Sequence, residues 1–351
     1  MTAAVSSPQK DSSRAIATWL FICAASVFLM ALIGAVTRLT ESGLSIVEWA
    51  PIKGALPPLN AADWQREFDL YKQTPQYLKV NRGMSLSEFK EIYFWEWLHR
   101  LWGRMIGLVY AVPLAFFWLR GRIPAEAKPA LLGILALGFA QGLMGWLMVK
   151  SGLVDQPAVS HYRLAAHLML AFLIYACMLR MALAFSCRPD PDAGRATVLR
   201  GGIKIVLGLA VLTMIWGAFV AGLRAGLLYN TFPMMDAHWL PPELWAHKPL
   251  WKAFIEEPAT VQFTHRVLAV LTVLSGLWFY KRARGFNVQG RAGTLFKALP
   301  WVLLAQAGLG IATLLHAVPV ALGAIHQGGA LVVLSVLVWL LFEIPDIRSR
   351  S

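Results

Sequence analysis

The chain has 351 residues, 58% of them hydrophobic and only 15% charged, with a mean hydropathy of +0.57. That composition excludes an ordinary water-soluble domain and indicates a polytopic membrane protein. The net charge of +13 would suggest nucleic acid in a soluble protein, but the lysines and arginines concentrate in alternate short loops, as membrane orientation demands, so nucleic acid is excluded as a partner.

Residues 1–14 form a polar tail with Lys10 and Arg14, and no cleavage-like small-residue site follows the first apolar run, which therefore reads as a retained helix. A membrane-spanning helix takes about 20 apolar residues. Eight segments qualify, near 15–36, 93–118, 129–150, 163–185, 203–223, 262–280, 298–318 and 321–343. The second, fourth and sixth loops are basic, carrying Arg120, Arg122 and Lys128, then Arg188, Arg195, Arg200 and Lys204, then Lys281, Arg282, Arg284, Arg291 and Lys297. By the positive-inside rule both termini are cytoplasmic.

The odd-numbered loops then face outward. The first, about 37–92, contains Pro51, Pro57 and Pro58, followed from Asn60 by a stretch in which Trp64, Phe68 and Tyr71 share one helical face. Such a helix either lies on the membrane surface or packs on its own domain. Ser85-Leu86-Ser87-Glu88 is a capping box with Met84 and Phe89 spaced as a hydrophobic staple, which starts the second long helix at Leu86, above the lipid. Pro258, after Glu256 and Glu257, suits the first turn of the sixth. Cys23, Cys177 and Cys187 show no metal-type spacing and imply no disulfide framework.

The chain also repeats itself. Gly34-Ala35-Val36, Gly43-Leu44 and Pro57-Pro58 recur in order as Gly217-Ala218-Phe219, Gly226-Leu227 and Pro241-Pro242, and Gln141-Gly142-Leu143-Met144-Gly145 resembles Gln306-Ala307-Gly308-Leu309-Gly310. The expected fold class is an all-α polytopic membrane protein. Its eight transmembrane helices form two parallel four-helix repeats, related by a pseudo-twofold axis along the membrane normal. The expected divisions are a tail at 1–14, an N-terminal half at 15–185, a cytoplasmic linker at 186–202, a C-terminal half at 203–343 and a tail at 344–351.

Within this scaffold, Glu96-Trp97-Leu98-His99-Arg100 is matched by Gln262-Phe263-Thr264-His265-Arg266, and His167 and His326 open two further apolar helices. Ionisable groups at membrane depth are costly and mark function. Each half contributes one histidine from its second helix and one from its fourth, all at similar depth toward the outer face. That is the number and symmetry for two haems with bis-imidazole ligation, whereas zinc would want three or four ligands converging on one site. A small residue one turn beyond each histidine is expected to admit the macrocycle, and the i+4 positions are Gly103, Ala171, Ala269 and Ala330. His161, His238, His247 and His316 lack the symmetry and read as surface or loop residues. Arg163, one turn before His167, is a candidate for propionates, as are Arg100 and Arg266, with interfacial snorkelling as the alternative.

Glu96, matched by the neutral Gln262, breaks the symmetry. A carboxylate one turn from a ligand can exchange protons with substrate or water, so the reactive site is expected in the N-terminal half and an electron-transferring haem in the C-terminal half.

These residues resemble the haem A synthase family, of the alphaproteobacterial and mitochondrial type. The likeness rests on Glu96-x-x-His99-Arg100, His167, His265-Arg266 and His326, and on the run Thr37 to Ser45 with Trp49, Pro51, Gly54, Pro57 and Pro58. Gly222-Leu223 and Tyr229-Asn230-Thr231-Phe232-Pro233 add to it, and it extends from about Arg14 to Phe342. It implies conversion of haem O to haem A, a porphyrin methyl becoming a formyl group through hydroxylated intermediates. His99 and His167 would flank the substrate iron, His265 and His326 would ligate haem b, and Glu96 would be the acidic residue that the reaction needs. It implies a bacterial cytoplasmic membrane location, an electron acceptor that the motifs do not identify, and haem O synthase and the cytochrome oxidase assembly pathway as partners. Paired outer-loop cysteines occur in some members but not here, so no thiol step is implied. A fully ligated iron offers no open position for oxygen, which favours electron removal from the macrocycle with water supplying the oxygen. The rivals are a non-enzymatic di-haem b cytochrome, for which haems stacked across the membrane would be usual, and a transporter on the same repeat. Small-residue helix faces suit internal packing and self-association equally.

Overall fold

The structure is a computed structural model that describes residues 8–48, 53–152, 159–189, 198–245 and 248–344. Trp49, Pro51 and His247, part of the 186–202 linker and residues 345–351 lie outside the described residues. The described residues form an all-helical fold, as apolar spans must when hydrocarbon offers no partner for backbone N–H and C=O groups. Eight long helices are α1 (Pro8–Leu39), α4 (Leu86–Leu119), α5 (Lys128–Gly152), α6 (His161–Ser186), α7 (Arg200–Gly222), α9 (Pro258–Arg284), α10 (Gly290–Leu315) and α11 (Val320–Glu343). Three short ones, α2 (Ala61–Tyr71), α3 (Pro75–Lys79) and α8 (Leu250–Glu256), belong to the two long loops. All eight long helices are long and apolar enough to cross a bilayer, so the chain is a multi-pass membrane protein. Most overrun the apolar segments read from sequence, because a hydropathy window sees only the stretch inside the hydrocarbon and not the polar turns beyond it; at their C-terminal ends α7 and α10 stop short, at Gly222 and Leu315 against 223 and 318.

The local signals act as their chemistry requires. Ser85 Oγ accepts from Glu88 N at 3.3 Å while Glu88 Oε2 accepts from Ser85 N at 2.7 Å, so the capping box starts α4 at Leu86. Pro258 stands in the first turn of α9, and Glu257 caps it by accepting from Ala259 N and Thr260 N. Asn60 caps α2, whose aromatic face packs on the outer turns of α4. The ring centroids of Phe68 and Phe89, and of Trp64 and Tyr93, lie 5.0 Å apart. Of the two readings of that amphipathic face, packing on its own domain holds: Tyr71 and Phe89 are fully buried.

The dense core occupies one end of the bundle, around Ile16 to Ala31 of α1, Tyr110 to Phe117 of α4, Phe172 to Leu183 of α6 and Leu331 to Phe342 of α11. Helices α1, α6, α7 and α11 make the contact between the N-terminal and C-terminal sets of four. At the opposite end, Arg38 donates to the last carbonyls of α7, Ala221 O at 2.9 Å and Gly222 O at 3.1 Å, while Glu41 pairs with Arg224 at 2.5 Å. A cation at a helix C-terminus meets the negative end of its dipole.

The two sets differ in tightness. Helices α9 and α10 pack along much of their length, with Leu303 seated against Gly276, whereas α4 and α5 touch over a short stretch.

Candidate functional site

The four histidines gather at the end of the bundle away from the dense core, each against a glycine of a neighbouring antiparallel helix. A Cβ placed on Gly34 of α1 would stand 3.3 Å from His99 Nε2, and one on Gly145 of α5 3.3 Å from His167 Cε1. The same construction puts Gly217 of α7 3.0 Å from His265 Cε1 and Gly310 of α10 2.8 Å from His326 Cε1. Only glycine lets the helix backbones come so close to the imidazoles. At the i+4 position of His99, a Cβ on Gly103 would stand 3.5 Å from Met30 of α1. Side chains on a helix lean toward its N-terminus, so a ring covers the preceding turn and leaves the following one.

Across the bundle the rings form two pairs. His99 lies within electrostatic reach of His167, and His265 of His326. Their surroundings differ in detail. His265 Nδ1 donates to Thr213 O at 3.0 Å, which orients the ring and leaves Nε2 as the free donor to a metal. Gln141 Nε2 stands 3.2 Å from His167 Nε2, and Gln306 donates to the backbone oxygen of His326 at 2.9 Å. Buried Nδ1 atoms of His167 and His326, and the Oε1 atoms of Gln141 and Gln306, have no hydrogen-bond partner. Buried polar atoms are normally satisfied, and these four are open to a bound group. Two facing imidazoles per half suit a haem between them. A cluster of three or more His, Cys, Asp or Glu for a bare metal ion is absent among the described residues.

In each half a loop is clamped to the head of the second long helix. Glu96, 2% exposed, accepts at Oε2 from Ser45 Oγ (2.7 Å) and Ile46 N (2.8 Å), and at Oε1 from Arg100 Nη2 (2.7 Å). Arg100 also donates to Ile46 O at 2.9 Å and Glu48 O at 3.2 Å. In the second half Gln262, equally buried, donates to Ala225 O at 2.9 Å and Tyr229 O at 3.1 Å. Arg266 donates to Gln262 Oε1 at 3.2 Å and to the carbonyls of Tyr229, Thr231 and Met234.

A family model described as "Cytochrome oxidase assembly protein" matches residues 17–338. A protein of Rhodospirillum centenum named "Heme A synthase" is 51% identical over 343 residues, covering 95% of this chain and 90% of its own length. This chain belongs to the haem A synthase family. Similar proteins of the same name occur in Parvibaculum lavamentivorans, 50% identical over 93% of each chain, and in Nitrosospira multiformis, 47% identical over 96% of this chain and 97% of that one.

For a member of the haem A synthase family, the disposition of the arginines is informative. Arg100 and Arg266 are committed to their loops, and Arg163 donates to Leu147 O near the end of α5 at 3.2 Å. His238 and His316 are exposed, as expected of loop residues. His161 is half-buried: its Nε2 bonds Ile255 O at 2.9 Å and it packs on Gly222, tying the start of α6 to the loop before α9. It departs from the loop reading because the second long loop folds back over α6. Sequence reasoning did not assign Ser45, Gln141, Gln306 or the four glycines to the site. A glutamine at membrane depth was the available signal, and both Gln141 and Gln306 had served only to mark the repeat.

Proposed function

We propose that this chain is a haem A synthase of the bacterial cytoplasmic membrane, an oxidoreductase that converts a methyl group of haem O to the formyl group of haem A through a hydroxylated stage. Its halves are two parallel four-helix repeats, with both termini cytoplasmic and the histidine layer toward the outer face. What supports the reading is two histidine pairs, His99 with His167 and His265 with His326, only the first of which has a carboxylate, Glu96, one turn before a histidine. A transmembrane electron relay, the rival reading, would instead stagger its pairs across the bilayer.

His99 and His167 would hold the substrate iron, the contact of Gln141 Nε2 with His167 Nε2 giving way where that nitrogen binds the metal. His265 and His326 hold haem b, with Thr213 fixing the tautomer of His265. Haem b, when bound, supplies one-electron transfer. Oxidation of a methyl to a formyl with water as the oxygen source releases four electrons and four protons, the electrons passing to an acceptor outside the chain. Glu96 is the group that moves protons: its Oε2 accepts from the Ser45 hydroxyl, which leads toward the outer loop, and Arg100 holds the carboxylate in place at 2.7 Å. The Arg100 and Arg266 clamps close the loops over the sites and exclude bulk water.

The test is to extract haems from a host that makes haem O, with and without this chain, and to chromatograph them. Formyl haem appearing with the chain supports the proposal. An unchanged haem O pool together with bound haem b would establish the cytochrome instead.

A further inference from the structure

A resident cofactor needs a sealed site, whereas a membrane-dissolved substrate has to enter and its product leave at every turnover. The two halves differ in this respect at the seam between their second and third long helices. In the C-terminal half that seam is filled: Leu303 of α10, 3% exposed, seats on Gly276 of α9, and Val273 packs against the core. With Gln141 set against Gln306 and His99 against His265, the N-terminal counterparts are Gly138 for Leu303, Gly142 for Ala307 and Gly107 for Val273. A Cβ at Gly107, Gly138 or Gly142 would meet nothing within 4 Å.

Helices α4 and α5 are joined at the core end, where Tyr110 Oη donates to Leu131 O at 2.8 Å, and touch over only a short stretch. The gap marked by the open positions Gly107, Gly138 and Gly142 ends one turn before Gly145, which fronts His167. At its head stand the two buried, unpartnered atoms Gln141 Oε1 and His167 Nδ1. Phe139 and Leu143 of α5, 74% and 57% exposed, and Leu108 of α4, 57% exposed, rim it with apolar surface.

We propose that haem O enters, and haem A leaves, sideways from the lipid through this α4–α5 seam, and that Leu303 closes the matching seam to retain haem b. The proposal rests on the assignment of the substrate to the N-terminal pair. The macrocycle is flat and apolar along its edges, so a slot between two glycine-faced helices admits it edge-on without exposing it to water, and the polar atoms at the head of the slot receive it.

The experiment uses the full chain with haem b bound, in lipid nanodiscs, mixed with vesicles carrying haem O, and follows the absorbance of the N-terminal site. Gly138→Trp is expected to slow loading by about tenfold or more, equivalent to an added barrier in that seam, while the haem b spectrum stays unchanged. Gly308→Trp, which puts the same bulk on open surface of α10, is expected to load at the unmodified rate. Should Gly138→Trp lose haem b and so report a disturbed fold, Gly138→Leu, which copies the residue of the sealed seam, takes its place with the same expected direction. Conversely, Leu303→Gly is expected to release haem b faster to apomyoglobin. Loading of a Gly138 variant at the unmodified rate, with haem b intact, would overturn the lateral route and leave the haem A synthase assignment standing. Failure of the unmodified protein to load haem O at all would overturn both.

Discussion

In the C-terminal half a neutral amide, Gln262, holds the loop after α7 by donating to two carbonyls, whereas in the N-terminal half the carboxylate of Glu96 holds the loop after α1 by accepting from a hydroxyl and a backbone N–H. Both sit one turn before a histidine and both are braced by an arginine four residues on. The comparison separates two jobs. Clamping a loop does not need a charge, because the second half manages with an amide, and a buried ion pair is often no more stabilising than a neutral replacement. On the proposed function, the carboxylate of Glu96, at 2% exposure, is kept for chemistry in the half that carries it.

The comparison breaks most completely at the histidines. His99→Ala or His167→Ala is expected to abolish haem A formation while the C-terminal haem b remains, and His265→Ala or His326→Ala to remove haem b and, with it, turnover. Haem chromatography alongside pyridine haemochrome spectra separates the two patterns, and loss of both haems in all four variants would sink the division of labour.

Next in size is Glu96→Gln. The amide oxygen can still accept from Ser45 and Ile46, but an NH₂ group then faces Arg100, and no proton can be exchanged. Turnover should drop by roughly 10²–10⁴-fold, the usual worth of a general acid–base group, with haem b content normal. The reciprocal Gln262→Glu should cost far less. Unimpaired turnover in Glu96→Gln would reduce Glu96 to a loop clamp.

The glycines offer a graded probe. Gly310→Ala forces a Cβ to 2.8 Å from His326, so that ring must shift, and haem b occupancy should fall several-fold at limiting haem; Gly34→Ala, at 3.3 Å from His99, asks for only a few tenths of an ångström and should raise KM modestly. Equal effects would mean that the ring–glycine distances do not govern ligation.

The smallest effect is expected at the contact between halves. Glu41 and Arg224 are 30% and 48% exposed, so reversing one charge with Glu41→Arg should lower stability by only about 0.2–1 kcal/mol. The double exchange with Arg224→Glu should recover it, as read from thermal release of haem b in detergent at low and high salt.

Much of this was legible in the residues. The eight spans, the capping box at Ser85, the cap before α9 and the cysteines without a disulfide partner follow from patterns only a few residues long. The aromatic face of α2 left two readings open, since amphipathicity states that a face is covered and not by what. Sequence spacing along one helix says nothing about which neighbour approaches a ring, and the close approaches come from Gly34, Gly145, Gly217 and Gly310 on other helices.

By itself the sequence determined the membrane class, the number of spans, the repeated motifs and the four histidines, because hydrophobic length and costly buried ionisable groups are local properties. Tertiary packing decided which glycine fronts each histidine, that Glu96 accepts from Ser45 and Ile46 as well as from its helix neighbour Arg100, and that α4 and α5 touch over less of their length than α9 and α10. Those facts depend on different helices and loops meeting at van der Waals distance, which hydropathy along one segment does not encode.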